Sequence, residues 1–465
     1  MLCMTDALRR YFAPMAWVNG TWEKDALMCV ANDGTWADIQ AHASTDQQRG
    51  ATRLSGAVIP GLVNAHSHAF QRAIAGMTER ASAGQDNFWS WRDRMYSAAQ
   101  RITPQQLEAT AALLYAELLR VGYTQVCEFH YLHNDLQGKP YANPLEMSFA
   151  LVRAAQRVGI GITLLPTLYM RSGFSATGLR DDQQRFASTP DSIFNLCEGI
   201  ERQLGGGQVN TGLALHSLRA VGQGALQEAV AFAKTKRMPI HIHVAEQTDE
   251  VTDCMSALGQ RPVEWLLTHA GLDPSWNLVH ATHTSPAELQ GIQASGASIV
   301  LCPTTEANLG DGVFDLPAYA QVQGRWSIGS DSHVTRCWQE ELRLLEYSQR
   351  LALRQRNVMA ASAGQSGTAA ALFNAALAGG SAACGLATAG LAAGNRADFS
   401  VIDTTSPALL GVPSDHLLDA LVFSSPDARL SEVYVAGKRV VQAGCVENWQ
   451  ELADDFSSAM HALWV

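Results

Sequence analysis

The chain has 465 residues, 47% of them hydrophobic and only 17% charged, and carries a formal charge of −11 at pH 7. That much apolar material supports a large core plus a second unit, because single cores stop growing near ~250–300 residues. The acidic balance excludes the basic surface of a nucleic-acid binder, and no apolar run reaches the roughly 18 residues of a membrane span.

The opening "MLCMTDALRRYFAP" lacks the apolar region of a secretory leader. Nine cysteines (Cys3, Cys29, Cys127, Cys197, Cys254, Cys302, Cys337, Cys384, Cys445) are scattered with no C-x-x-C pair. They read as reduced thiols of a cytoplasmic protein, not as a disulfide frame or zinc finger. Residues 1–59 break into β-like pieces, "YFAPMAWVNGTW" and "LMCVANDGTWADI", separated by Gly, Asn and Asp turn signals. From 60 to 385 short apolar strand candidates alternate with helical patterns such as "TPQQLEATAALLYAELLRVG" and "GALQEAVAFAKTKR". The strand candidates run "GLVNAHSH", "YTQVCEFH", "GITLLPTLY", "TGLALHSLR", "MPIHIHVAE", "WNLVHATHT", "ASIVLCPTT" and "RWSIGSDSH".

Eight such units over ~300 residues predict an α/β chain built as a (β/α)8 TIM barrel. A doubly wound open sheet competes, but no Gly-rich phosphate turn follows the first strand. Residues 386–445 return to β texture in "ADFSVIDTT", "ALVFSS" and "LSEVYVAGKRVVQAG". The two β-rich ends are expected to pair into one small composite β-sandwich. Residues 446–465, with "WQELADDFSSAMHALW", predict an amphipathic terminal helix.

Polar residues gather where these strands end. His66 and His68 close the first strand, and alternation in a strand aims both imidazoles to one face. Glu128 and His130 end the second; His216 and Arg219 the fourth; His241, His243 and Glu246 the fifth. His280 and His283 end the sixth, Asp331 and His333 the eighth. Barrel enzymes build their sites at this carboxyl-terminal rim, so a metal site outweighs the plainer reading of polar strand ends. Three imidazoles and a carboxylate, from His66, His68, His243 and Asp331, suit one Zn2+, with Fe2+ as the alternative. His241 competes with His243 because both share a strand face; position favours His243, nearer the rim. Glu246, just past the strand, is placed for general acid/base work on a water whose pKa the metal lowers. His280 is the assisting group, with a satisfied strand-end histidine as its plainer reading. No lysine stands near the third or fourth strand end to bridge two metals, and Glu128 reads as structural; one metal is expected.

"PGLVNAHSH", "HIHVAEQTDE", "LVHATH", "LCPTTEANLGDG" and "IGSDSH", in that order over residues 59–333, resemble the amidohydrolase superfamily in its mononuclear aminohydrolase branch. The resemblance implies metal ligands at His66, His68, His243 and Asp331, proton transfer at Glu246, assistance from His280, and a second proton-accepting role for Asp331. "HSHAFQRAIAGMTER" and "FWSWRDRMY" are similar to a family within that branch that hydrolyses N-formimidoyl-L-glutamate to N-formyl-L-glutamate and ammonia in histidine degradation. Such a small dicarboxylate needs cations, and bidentate arginines hold carboxylates with fixed geometry. Arg92 and Arg219 fill that role, unless Arg92 merely pairs with Asp93 or stacks on Trp91. Gln71, Tyr131 and His216 are the hydrogen-bonding candidates, and "EANLGDG" is a candidate covering loop. A nucleobase or aminotriazine deaminase would use the same metal chemistry with aromatic walls from Phe88, Trp89 and Trp91. A non-catalytic binding barrel would be expected to lack some ligands. A cytoplasmic homodimer, with no nucleic-acid or membrane partner, completes the expectation.

Overall fold

The computed structural model describes residues 8–80, 88–424 and 428–465; Cys3 and the start of the opening string lie outside them. Eight parallel strands, each strand candidate in turn, form the barrel wall. They are Leu62–Ser67, Tyr123–His130, Gly161–Leu168, Leu213–Leu215, Ile240–Val244, Trp276–His280, Ser298–Leu301 and Arg325–Ile328. Nearly every residue in them is buried, as expected when helices cover the outside and packed side chains fill the inside. A short extra piece, Val209–Thr211, pairs with the third strand just before the fourth begins. Between the two pieces Gly212 passes so close to Leu165 that a Cβ would lie 2.5 Å from its Cδ2.

The wall closes where the first and eighth strands meet. Asp331 N donates to His66 O at 3.0 Å, and His68 N donates to Asp331 O at 3.3 Å. Gly329 makes this approach possible, since a Cβ there would sit 2.6 Å from that of His66. The crossover helices start on local signals: Thr103 caps Pro104–Arg120 by accepting from Gln106 N, with Pro104 in the first turn.

Both chain ends build a second, mostly antiparallel sheet of nine strands. Phe399–Ile402 pairs with Val58–Pro60, joining the late strands to the early ones. Its own core holds Trp36, Phe399 and Tyr434, the last two rings stacked 4.2 Å apart. The terminal helix Trp449–Trp464 packs on the barrel, with Trp464 Nε1 donating to Ala73 O at 3.1 Å. One element differs: most of "ALVFSS" lies in the helix Leu417–Phe423 rather than a strand. Leu417, Leu418, Leu421 and Val422 are buried together, a helical spacing that so short an apolar run conceals. No helix among the described residues is long and apolar enough to cross a membrane.

Candidate active site

Strand alternation and strand length bring the rim residues together. His66 lies in the first strand and His68 just beyond it, so both rings enter the barrel mouth. His243 arrives from the fifth strand and Asp331 from the turn after the eighth. One ring nitrogen from each of the three histidines falls within 4.8 Å of the others. His66 Nε2 is 3.0 Å from His243 Nε2. Asp331 Oδ1 is 3.4 Å from His66 Nε2 and 3.3 Å from His68 Nε2.

The donor chemistry tests whether a cation fits here. His68 Nδ1 lies 2.9 Å from Phe129 O and His243 Nδ1 lies 2.9 Å from His216 O. Each Nδ1–H therefore donates outward, leaving the Nε2 lone pairs facing inward. Burial, reinforced by neighbouring imidazoles, lowers His66 and His243 well below the ordinary histidine value, so both rings are neutral. Burial lowers His68 as well, against the pull of Asp331. Converging lone pairs beside a carboxylate oxygen call for a cation, and three imidazoles with one carboxylate suit zinc or ferrous iron.

Beside this cluster stand Glu246 and His280, His280 Nε2 3.7 Å from Glu246 Oε1 and 3.9 Å from Asp331 Oδ2. Burial pushes the Glu246 carboxyl up to about 7, with His280 pulling it down and Asp331 pushing it up. Burial by itself would lower His280, but Glu246, Glu306 and Asp331 outweigh it and raise the ring to about 10. Backbone strain marks the same rim: Ala245, His280, Ala281, Asp331 and His333 all have positive φ. Non-glycine residues in that region cost on the order of 1–3 kcal/mol each and persist where the surroundings enforce them.

A pocket opens over the cluster, lined by all the substrate-binding candidates, Gln71, Arg92, Tyr131, His216 and Arg219, and by Glu246, His280 and Asp331. The segment bearing Arg92 is a helix, Phe88–Ala99, rather than an open loop. Its guanidinium stacks 4.4 Å from the Trp89 ring, not on Trp91, and Arg219 lies 5.9 Å from Trp89. The Nε of each arginine is buried without a hydrogen-bond partner among the described residues. Gln71 Nε2 donates to Tyr131 OH at 3.1 Å, while its Oε1 is buried and unpartnered. Among the substrate-binding candidates, the pocket thus offers two guanidiniums with an unpartnered Nε donor and one unpartnered amide acceptor.

Other rim residues turn elsewhere. His241 Nε2 meets Ala383 O at 2.8 Å, His283 Nε2 meets Asp311 O at 2.8 Å, and His333 Nδ1 meets Ser330 Oγ at 3.0 Å. His130 and His133 pack on each other outside the pocket, ring centroids 5.2 Å apart. Glu128 accepts from Ser67 Oγ at 2.6 Å and Tyr115 OH at 3.1 Å, bracing the first strand. "EANLGDG" places Leu309 on the pocket wall and pairs Asp311 with Gln247. Sequence reasoning passed over Glu306, whose Oε1 lies 3.2 Å from His280 Nδ1. It also passed over Tyr169 and Arg171, both on the pocket wall; their place just past the third strand was the available signal.

A family model described as the amidohydrolase family matches residues 57–440. Formimidoylglutamate deiminase of Pseudomonas aeruginosa is 44% identical over 433 residues, which cover 93% of this chain and 94% of that one. The crystal structure of an amidohydrolase from Brucella melitensis superposes with a TM-score of 0.91 at 40% identity, covering 98% of this chain and 100% of that one. An adenosine deaminase from Xanthomonas campestris, solved with bound zinc, superposes with a TM-score of 0.81 over 98% of each chain. At 20% identity it is alike in fold alone.

Proposed function

This chain belongs to the amidohydrolase family, and from that premise we propose that it is a hydrolase converting N-formimidoyl-L-glutamate and water to N-formyl-L-glutamate and ammonia, a step of histidine degradation. The observation that carries the substrate is the pair of guanidiniums, Arg92 and Arg219, each with a buried unpartnered Nε in the pocket over the histidine cluster. Two carboxylates on a short chain are the matching ligand for two such cations. The 44% identity to a formimidoylglutamate deiminase supports the same reading.

A metal cofactor follows from the family and the donor set; the finer reading is one zinc ion per chain, held by His66, His68, His243 and Asp331. Bound there, it supplies the Lewis acidity that makes water a nucleophile at neutral pH. Asp331 and His280 hold the attacking water, and Asp331 accepts its proton as the oxygen bonds to the formimidoyl carbon. Glu246, near 7, is matched to giving and taking protons at neutral pH. It protonates the terminal nitrogen, and Asp331 returns the proton it took as the second one. The carbon–nitrogen bond then breaks, ammonia leaves, and the added hydroxyl gives its remaining proton back to Glu246 as the carbonyl forms. Gln71 Oε1 accepts from an amidine N–H, and Tyr131 and His216 complete the wall. Anchoring of both carboxylates decides which nitrogen meets Glu246, hence the products. We place the enzyme in the cytoplasm as a homodimer, a state that light scattering reads directly.

The test is ammonia release from N-formimidoyl-L-glutamate beside guanine, cytosine and an aminotriazine, with the product identified by mass spectrometry. Ammonia and N-formylglutamate from the first substrate alone are expected. Formamide among the products would overturn the reaction, and faster release from a nucleobase or triazine would overturn the substrate.

A further inference from the structure

We propose that Arg171 is a positioning residue for substrate binding, the clamp that sets Arg219 in the pocket. The inference rests on the reading of Arg219 as a carboxylate ligand.

The fourth barrel strand is only Leu213–Leu215, and the chain leaves the sheet directly into the turn that carries His216 and Arg219. That turn has few bonds of its own: Ala220 N and Val221 N both donate to Ser217 O, at 3.0 and 3.1 Å. Its four successive carbonyls from 218 to 221 are instead taken by two residues beyond the third strand. Arg171 Nη2 donates to Leu218 O at 3.0 Å and to Val221 O at 3.3 Å, and Arg171 Nε donates to Arg219 O at 3.0 Å. Between them, Ala220 O accepts from Met170 N at 2.9 Å and Arg171 N at 3.2 Å. The remaining arm, Arg171 Nη1, reaches Phe174 O at 3.4 Å.

This use of the guanidinium is geometric. Its donors form a rigid planar fork that spans several carbonyls at once; an ammonium offers three donors at one point and cannot. A turn so bound has its Cα positions set from outside, and Arg219 projects from its middle. Without the Arg171 side chain, the turn keeps its two bonds to Ser217 O, the backbone bonds from Met170 N and Arg171 N to Ala220 O, and the strand contacts of His216, but the carbonyls of Leu218, Arg219 and Val221 lose their donor. Arg219 then loses its fixed reach while its charge remains. Substrate capture suffers before the chemistry at Glu246 does.

Steady-state kinetics of Arg171→Met, Arg171→Lys, Arg219→Met and the Arg171→Met/Arg219→Met double variant test this, with metal content read alongside. Arg171→Met should raise KM for N-formimidoyl-L-glutamate more than it lowers kcat, up to the order of 100-fold that a ~1 Å misplacement can cost. Arg171→Lys should behave alike, and it carries the test if the methionine variant fails to fold. In the double variant the KM should stay within about twofold of Arg219→Met alone, since coupled residues are non-additive. Effects that multiply, rescue by lysine, or loss of metal would each overturn the clamp, showing that Arg171 acts on the substrate or the histidine cluster itself. An Arg219→Met enzyme with unchanged KM would overturn the dicarboxylate pocket instead.

Discussion

Burial sets the chemistry of Glu246 more than any neighbour does, raising an ordinary carboxyl to about 7. A group there is half-ionised at neutral pH, the condition for both giving and taking a proton. Glu246→Gln keeps the shape and removes the proton; metal content should be retained while turnover falls by at least ~100-fold, the usual scale for a general acid/base. Near-native turnover with metal bound would remove Glu246 from the proton path. His243 differs, because its Nε2 is one of the converging nitrogens. His243→Ala should lose both metal and activity, and a full metal complement by elemental analysis would count against the ligand assignment.

Elements hold these residues by close backbone approach. The eighth strand is gripped on two sides. On one, Gly329 passes His66 with no room for a Cβ; on the other, Gly379 of helix Thr368–Cys384 would set a Cβ 1.8 Å from Trp326 O. Adding a methyl group at either place forces elements apart, a type of overpacking that typically costs ~1–3 kcal/mol. Gly379→Ala should therefore lower the melting temperature with metal affinity little changed. Gly329→Ala should lower both, because it separates His66 from the Asp331 turn. Equal metal affinity in the two variants would show that barrel closure does not tune the ligand set.

Across the whole molecule, buried titratable groups oppose one another. Burial lowers His133 and His241 to about 4, their contacts to Thr167 O and Ala383 O offsetting only part of the effect. Burial raises Glu128 and Glu341 to about 8 despite hydrogen bonds from Ala69 and Ser67 to the first and from Thr304 to the second. Between the ordinary values of 4.5 and 6.5, the unfolded chain binds more protons at the histidines and fewer at the carboxyls. The histidines thus contribute stability that grows with pH, the carboxyls stability that shrinks, and the four nearly cancel. Above 6.5 the histidines no longer differ between states, and the carboxyls lower stability until about pH 8. Glu341→Gln should unmask a rise in stability from pH 4.5 to 6.5, about 1.4 kcal/mol per pH unit relative to the parent. It should also soften the loss above 6.5. Denaturant melts across pH read both limbs, and a profile parallel to the parent's would mean that Glu341 is ionised in the fold.

The strands, the rim and the paired imidazoles of His66 and His68 were legible in the sequence because side-chain alternation and apolar runs are local, and they state which face and which end a residue occupies. His241 and His243 show the limit: they share a face, and only the depth of the fifth strand in the closed barrel sends one to Ala383 O and the other to His66. "ALVFSS" was misread because a run so short shows no period, and its helix is settled by what it packs against. Spacing gave no sign of Glu306 behind His280 or of Arg171 beneath Arg219, since each contact joins residues from different strand ends. Arg92 kept a stacking alternative in the sequence, and the fold put its guanidinium on Trp89 inside the pocket. Residue types and their places along each strand were therefore determined by the sequence alone. Distances between strand ends, and the burial that shifts Glu246 and His280 in opposite senses, were decided only by barrel closure, because both depend on which remote segments come to lie side by side.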